Sequence, residues 1–242
     1  MALISSHNTA FAYEGKTVIS DISFNVNQGD YLCIVGENGS GKTTLMKGIL
    51  KLLKPSQGEI VFGDGFAPNK IGYMPQQNSA QKNFPASVYE VVLSGRLNSR
   101  GILPMYSKKD KQCALDNMER LGIANIAKKS FRDLSGGQQQ RALLGRALCA
   151  TKTALLLDEP AAGLDPLVTA DMYSTIQTLS ADMGITIIMI SHDIGAAVEY
   201  ASHILHIHNR QGQFTTVADY CNTAMGQLFV NALNKGANDG IV

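Results

Sequence analysis

The feature that most narrows what this chain can fold into is GENGSGKT at 36–43, set directly behind the apolar run YLCIV at 31–35. It satisfies G-x-x-x-x-G-K-[ST], and a strand before it with a helix after it is the context that gives the pattern physical meaning. Gly36, Gly39 and Gly41 let the backbone turn tightly so that successive N–H groups point inward, reinforced by the N-terminus of a helix expected from about Lys42. A plain glycine-rich turn would satisfy the same letters, but the placement favours a loop that holds phosphate. Its binding residues are Gly36, Glu37, Asn38, Gly39, Ser40, Gly41, Lys42, Thr43 and Thr44. Lys42 supplies a point charge for the β- and γ-phosphates, and Thr43 a hydroxyl of the hard-oxygen kind that Mg2+ takes.

Around that loop, ISFNV at 22–26 and the apolar runs at 58–62, 70–74, 154–158 and 185–190 read as strands, with helical periodicity at 166–182. The alternation argues an α/β core with a parallel sheet. Between about 77 and 150 the pattern turns mainly helical (86–97, 108–121, 136–149), broken by turn-like pieces such as NSRGILP at 98–104. We therefore expect one domain over 1–242, with a core of 1–76 and 151–215 and an inserted helical block at about 77–150. After a hairpin turn in HNRQGQ, one strand and one helix lead into a C-terminal stretch of about 216–242 whose Gly/Asn-rich end should fray.

Composition removes several classes of function. A net charge of +1, with the basic residues scattered, offers no field for nucleic acid. The most apolar stretches, ALLL and ITIIMI, fall far short of the roughly 18 residues needed to cross a bilayer. The first residues show no export or transit pattern, so a cytoplasmic chain is expected, with Cys33, Cys113, Cys149 and Cys221 reduced.

The strand ALLL ends in Asp158-Glu159. A carboxylate at a strand's end can reach a metal held at a neighbouring loop, which makes Asp158 a candidate Mg2+ ligand. Glu159, one step on, points to the other face and could polarise a water for in-line attack on a γ-phosphate, making it the candidate catalytic base. A solvated acidic pair closing a strand is the alternative if these residues stood alone.

They do not: with LSGGQQQR at 134–141, the chain resembles the ABC ATPase family over nearly its full length. Physically, Ser135, Gly136 and Gly137 precede a helix and form another anion-receiving N-terminus. The resemblance implies ATP and Mg2+ as cofactors, and an ABC ATPase fold with a P-loop core, an antiparallel β subdomain and a helical subdomain. It also implies a head-to-tail dimer in which Ser135, Gly136, Gly137 and Gln138 close over the γ-phosphate held by a second ATPase subunit. Tyr13 then matches the aromatic that stacks on adenine, and Gln76, directly followed by Gln77, the glutamine that touches Mg2+ and the attacking water. Asp165 falls in a loop that steadies the opposing site; it also reads as an N-cap before Pro166. His192 in ISHD matches the histidine that contacts the γ-phosphate and orients the water or Glu159.

One compact domain without a coiled coil or a second cassette favours the ATPase of a transporter, and the lack of a span favours an importer whose membrane permease is a separate chain. NFPASVYEVVLSGR at 83–96 resembles the corresponding stretch of zinc and manganese uptake ATPases, in which the region near 77–106 meets the permease. The partners implied are a second copy, that permease and an extracellular solute-binding protein, with the chain peripheral on the cytoplasmic face of the membrane. A siderophore or vitamin importer and a non-transport ATPase acting on a macromolecular complex are the alternatives. His203, His206 and His208 lie on a strand where only 206 and 208 share a face, so a structural role is expected for them.

Overall fold

In the computed structural model, which describes residues 2–63, 65–77, 85–99, 105–224 and 226–227, the first element is a strand with no counterpart among those expected. Strand β1 (Ala2–Tyr13) pairs antiparallel with β2 (Lys16–Asn27) through a two-residue turn, Glu14 and Gly15, both at positive φ (48° and 77°). That turn matches the twist of the strands it joins. Ser6 and Thr9 point into the core of β1, sharing a hydrogen bond of 2.6 Å while Ser6 Oγ donates to the Ile22 carbonyl. Buried hydroxyls erase the apolar alternation by which a strand is recognised.

Bulges also break the period of two. On β1, two residues between Ser6 and Thr9, His7 and Asn8, oppose one, Ser23, between Phe24 and Ile22, with Asn8 left-handed at φ 43°. On β2, Thr9 to Phe11 opposes Ile22 to Ile19, with Asp21 at φ 55°. Such extra residues bend a strand and re-aim its side chains. Thus Ile19 is buried along with Ile22, Phe24 and Val26 although it is three residues from Ile22.

The chain divides into two compact units, residues 1–66 with 188–242, and residues 67–187. In the first, β4 (Gln57–Phe62) pairs antiparallel with β1, and β3 (Tyr31–Gly36) runs parallel to β8 (His203–His208). Helix α1 (Lys42–Ile49) follows β3. β8 returns antiparallel into β9 (Gln211–Thr216) through Asn209 and Arg210, at φ 48° and 67°, which realises the hairpin expected in HNRQGQ. Helix α7 (Val217–Asn222) follows, and the remainder of the expected tail beyond 227 lies outside the described residues.

In the second unit β5 (Ile71–Met74) pairs parallel with β6 (Ala154–Asp158), and helices α2 (Val88–Leu93), α3 (Lys108–Arg120), α4 (Gly136–Ala150) and α5 (Pro166–Met183) complete it. Strand β7 (Thr186–Ile190) carries the chain across the boundary and α6 (Ile194–Tyr200) lies beyond it. Three of these helices begin with a reciprocal box: Ser87 with Glu90, Ser107 with Asp110, and Ser135 with Gln138. Each satisfies two otherwise orphaned N–H groups. The helix expected at 86–97 is regular only over Val88–Leu93 and tightens to a 3₁₀ turn over Ser94–Ser99. Gly95 lies against the Arg146 carbonyl and 2.9 Å, measured from where a Cβ would sit, from the Cys149 side chain, and Ser94 Oγ donates to the Val91 carbonyl. Most of NSRGILP falls outside the described residues. Among those described, no helix is long and apolar enough to cross a membrane.

Candidate nucleotide-binding and hydrolysis site

The first unit holds the glycine-rich loop between β3 and α1. Every residue of β3 from Tyr31 to Val35 is buried, so the strand delivers Gly36 from a rigid base. Gly36, Gly39 and Gly41 have φ of 152°, 79° and 104°, values a side chain opposes. At Gly41 a Cβ would also run into the Ile19 side chain. Gly41 caps α1 without a side chain, and the first turn carries no acidic residue, so the helix offers its leading N–H groups to an anion. Lys42 Nζ donates to the carbonyls of Gly36 (2.7 Å) and Glu37 (2.9 Å), which curls the ammonium over the loop. Thr43 is exposed and Thr44 buried. Ser40 Oγ is buried with no hydrogen-bond partner among the described residues, a polar atom placed for a ligand rather than for the fold.

Tyr13 ends β1 just before its turn and is 42% exposed. His192 is exposed between buried Ser191 and half-buried Asp193. Asp193 accepts from Ala196 N at 3.0 Å and so starts α6, while Ser191 Oγ accepts from Asp193 N. Those bonds fix the backbone on which His192 is carried.

The second unit holds the carboxylates. Asp158 is buried at the end of β6, and its charge, after burial itself, pushes the Tyr73 phenol up to about 12. Glu159 follows in left-handed backbone at φ 48°. Backbone of that kind in a non-glycine residue is costly and persists only where its surroundings enforce it. Two contacts do so: Ala162 N donates to the Glu159 carbonyl (3.1 Å), and Gln76 Nε2 donates to Glu159 Oε2 at 2.7 Å. The glutamine that leaves β5 and the carboxylate that leaves β6 are therefore in direct contact.

Asp165 caps α5, its carboxylate accepting from Val168 N at 3.1 Å with Pro166 at the first helical position. Ser135 caps α4, with Gln138 completing the box. Gly136 and Gly137 lie against the loop and helix after Glu159: a Cβ on the first would sit 3.1 Å from Leu164 Cδ2, and on the second 2.6 Å from Val168 Cγ1. The signature glycines thus allow α4 to approach the Asp165 segment.

One contact escaped sequence reasoning. Gln77 Nε2 donates to Gln139 Oε1 (2.9 Å), and Gln139 Nε2 donates to the Phe131 carbonyl (3.0 Å). The available signal was Gln139 on the same buried stripe as Ala142 and Leu143, a polar residue at core spacing. Among the histidines outside the site, His203 stacks on Phe214, and His206 Nδ1 meets the Tyr220 hydroxyl at 2.9 Å, with burial lowering its pKa.

Residues 19–162 match the ABC transporter family, a span that takes in the glycine-rich loop, Gln76, LSGGQ and Glu159. The manganese transport system ATP-binding protein MntB of Bacillus subtilis is 41% identical over 161 residues, 65% of this chain and 64% of that protein. This chain therefore spans just under two thirds of that relative. The zinc uptake system ATP-binding protein ZurA of Listeria innocua is 33% identical over 86% of this chain and 83% of its own length. Among solved structures, cbiO1 of Clostridium perfringens, part of the ABC transporter complex cbiONQ, superposes with a TM-score of 0.82 at 26% identity, covering 96% of this chain and 95% of that one. The matched span takes in the P-loop, the signature and the carboxylates at the end of β6, and the chain belongs to this family: it is a nucleotide-binding member of the ABC transporter family.

Proposed function

We propose that this chain is the ATP-hydrolysing subunit of an importer for a divalent metal ion, zinc or manganese, acting on the cytoplasmic face of the membrane beside a separate permease. Two copies, head to tail, would each present the loop at 36–44 to the other's Ser135–Gln138, with an extracellular solute-binding protein delivering the cargo. The observation that carries the hydrolytic part is the 2.7 Å hydrogen bond from Gln76 to Glu159, which aims a carboxylate held in strained backbone. The cargo is supported by the manganese and zinc systems in which the relatives serve. The core at 1–76 and 151–215 would bind nucleotide, with the helical block at 77–150 turning toward the second copy.

Lys42 and the N–H groups of the loop bind the β- and γ-phosphates, and Tyr13 stacks on the adenine. Glu159 accepts a proton from the attacking water as its oxygen bonds to the γ-phosphorus, while the bond to the bridging oxygen breaks and ADP leaves. His192 orients the γ-phosphate and that water. Thr43, Asp158 and Gln76 offer a hydroxyl, a carboxylate and an amide oxygen, the hard donors that suit Mg2+. When bound, that ion would neutralise charge on the phosphate oxygens. ATP can drive the cycle only by favouring the closed pair over the open one, since equal affinity for both would shift nothing.

Cells lacking the chain should fail to grow under zinc chelation or manganese limitation and recover with one of these metals. The wild-type gene should restore growth and Glu159→Gln should not. Normal growth and normal metal content in the deletion would refute the cargo assignment while leaving the ATPase reading to be decided by turnover of the purified chain.

A further inference from the structure

We propose that Gln77 is a positioning residue that ties the hydrolytic carboxylate to the signature-bearing helix α4; this rests on the reading of Glu159 as the base. Two consecutive glutamines leave β5 and reach in different directions. Gln76 donates to Glu159 Oε2 (2.7 Å), and Gln77 donates to Gln139 Oε1 (2.9 Å) at the end of the first turn of α4.

The relay has a fixed sense. The Phe131 carbonyl can only accept, so Gln139 turns its NH2 toward it (3.0 Å) and its oxygen toward Gln77, which must answer with its own NH2. Gln139 is only 5% exposed, so its amide oxygen depends on protein partners. Breaking the bond to Gln77 strips a buried acceptor of a donor, and a shift of α4 therefore favours carrying Gln77 along. Gln77 shares a peptide bond with Gln76, so moving it re-aims the amide that holds Glu159. Gln139 lies four residues from Ser135, about 6 Å along the helix axis, so a phosphate engaging the start of α4 acts close to this link. The chain of contacts runs from Ser135 through α4 to Gln139, Gln77, Gln76 and Glu159, and readies the base when the signature is engaged.

The test uses this chain and five variants. Gln77→Glu keeps the shape but faces Gln139 Oε1 with a carboxylate, and Gln77→Lys restores a donor. The first should lower kcat by about tenfold with KM for ATP little changed, and the second should recover most of that loss. In a Gln76→Ala background, Gln77→Glu should change kcat by less than about twofold, because its effect travels through Gln76. A residue that merely supports packing would keep its full effect on kcat in that background. A kcat for Gln77→Glu within about twofold of wild type, or an undiminished loss without Gln76, would overturn the proposal. Glu159→Gln separates the two readings: full turnover there removes the base and this proposal together, whereas lost turnover there with a normal Gln77→Glu removes this proposal alone.

Discussion

Two helices in this molecule begin with small residues and an expected anion, yet their N-termini are built differently. Helix α1 starts at Gly41, which brings no side chain to its own N–H groups, while α4 starts at Ser135, whose hydroxyl accepts from Gln138 N (3.4 Å) as Gln138 Oε1 accepts from Ser135 N (3.2 Å). The first has no side-chain cap and follows glycines in left-handed backbone; the second is capped by the side chains of Ser135 and Gln138. The other boxes sharpen the contrast. Those of α2 and α3 use carboxylates, Glu90 and Asp110, which would repel an anion, whereas α4 uses a neutral amide. The α4 box stabilises the resting helix without adding charge against a phosphate. We infer that the P-loop is built to take an anion directly, while the signature must first give up its own cap.

The largest effect should come at the base. Glu159→Gln should cut turnover by about a hundredfold or more while leaving ATP affinity within about twofold, measured by steady-state hydrolysis and equilibrium binding. Next, Lys42→Ala should weaken nucleotide binding by roughly a hundredfold, since the ammonium that lies over the Gly36 and Glu37 carbonyls is lost. If ATP affinity survived in that variant, α1 would not be the primary site.

At Ser135 the two helices should part company. Ser135→Asp retains a good N-cap yet sets a charge against incoming phosphate, so ATP affinity of the single chain should hold while turnover falls by about tenfold or more. Ser135→Ala instead removes the cap and should cost about 1 kcal/mol of stability, read by denaturant unfolding. The smallest effect concerns the carboxylate box of α3. Ser107, and then Arg96, hold the Asp110 pKa at about 2, below its usual 3.8. The folded-state value is depressed, so this contribution is complete above about pH 4 and fades as the pH falls toward 2. The gap in thermal midpoint between wild type and Asp110→Asn should therefore be widest above pH 4 and narrow below it.

How much of this was legible in the sequence follows from how local each signal is. The strand, glycines and lysine of 31–43 are contiguous, so their order alone placed β3, the loop and α1. The hairpin at Asn209-Arg210 and the N-cap at Asp165 were readable for the same reason. β1 was not, because Ser6 and Thr9 satisfy one another inside the core and the bulge at Asn8 breaks the alternation. The 3₁₀ turn after α2 depends on Gly95 meeting Arg146, 51 residues away in the chain. Gln77 and Gln139 are 62 residues apart, and only the fold discloses that two amides from a polar run and a strand exit share a hydrogen bond.

We propose that one chain's P-loop and another chain's signature make one working site, a claim that mixing two impaired variants can check. Lys42→Ala keeps the signature and Ser135→Asp keeps the P-loop, so a head-to-tail pair of one of each contains one intact composite site. Combined in equal amounts, they should recover about a quarter of wild-type turnover, since half the pairs are mixed and each has one of two sites restored. A mixture no more active than its separate components would contradict the claim.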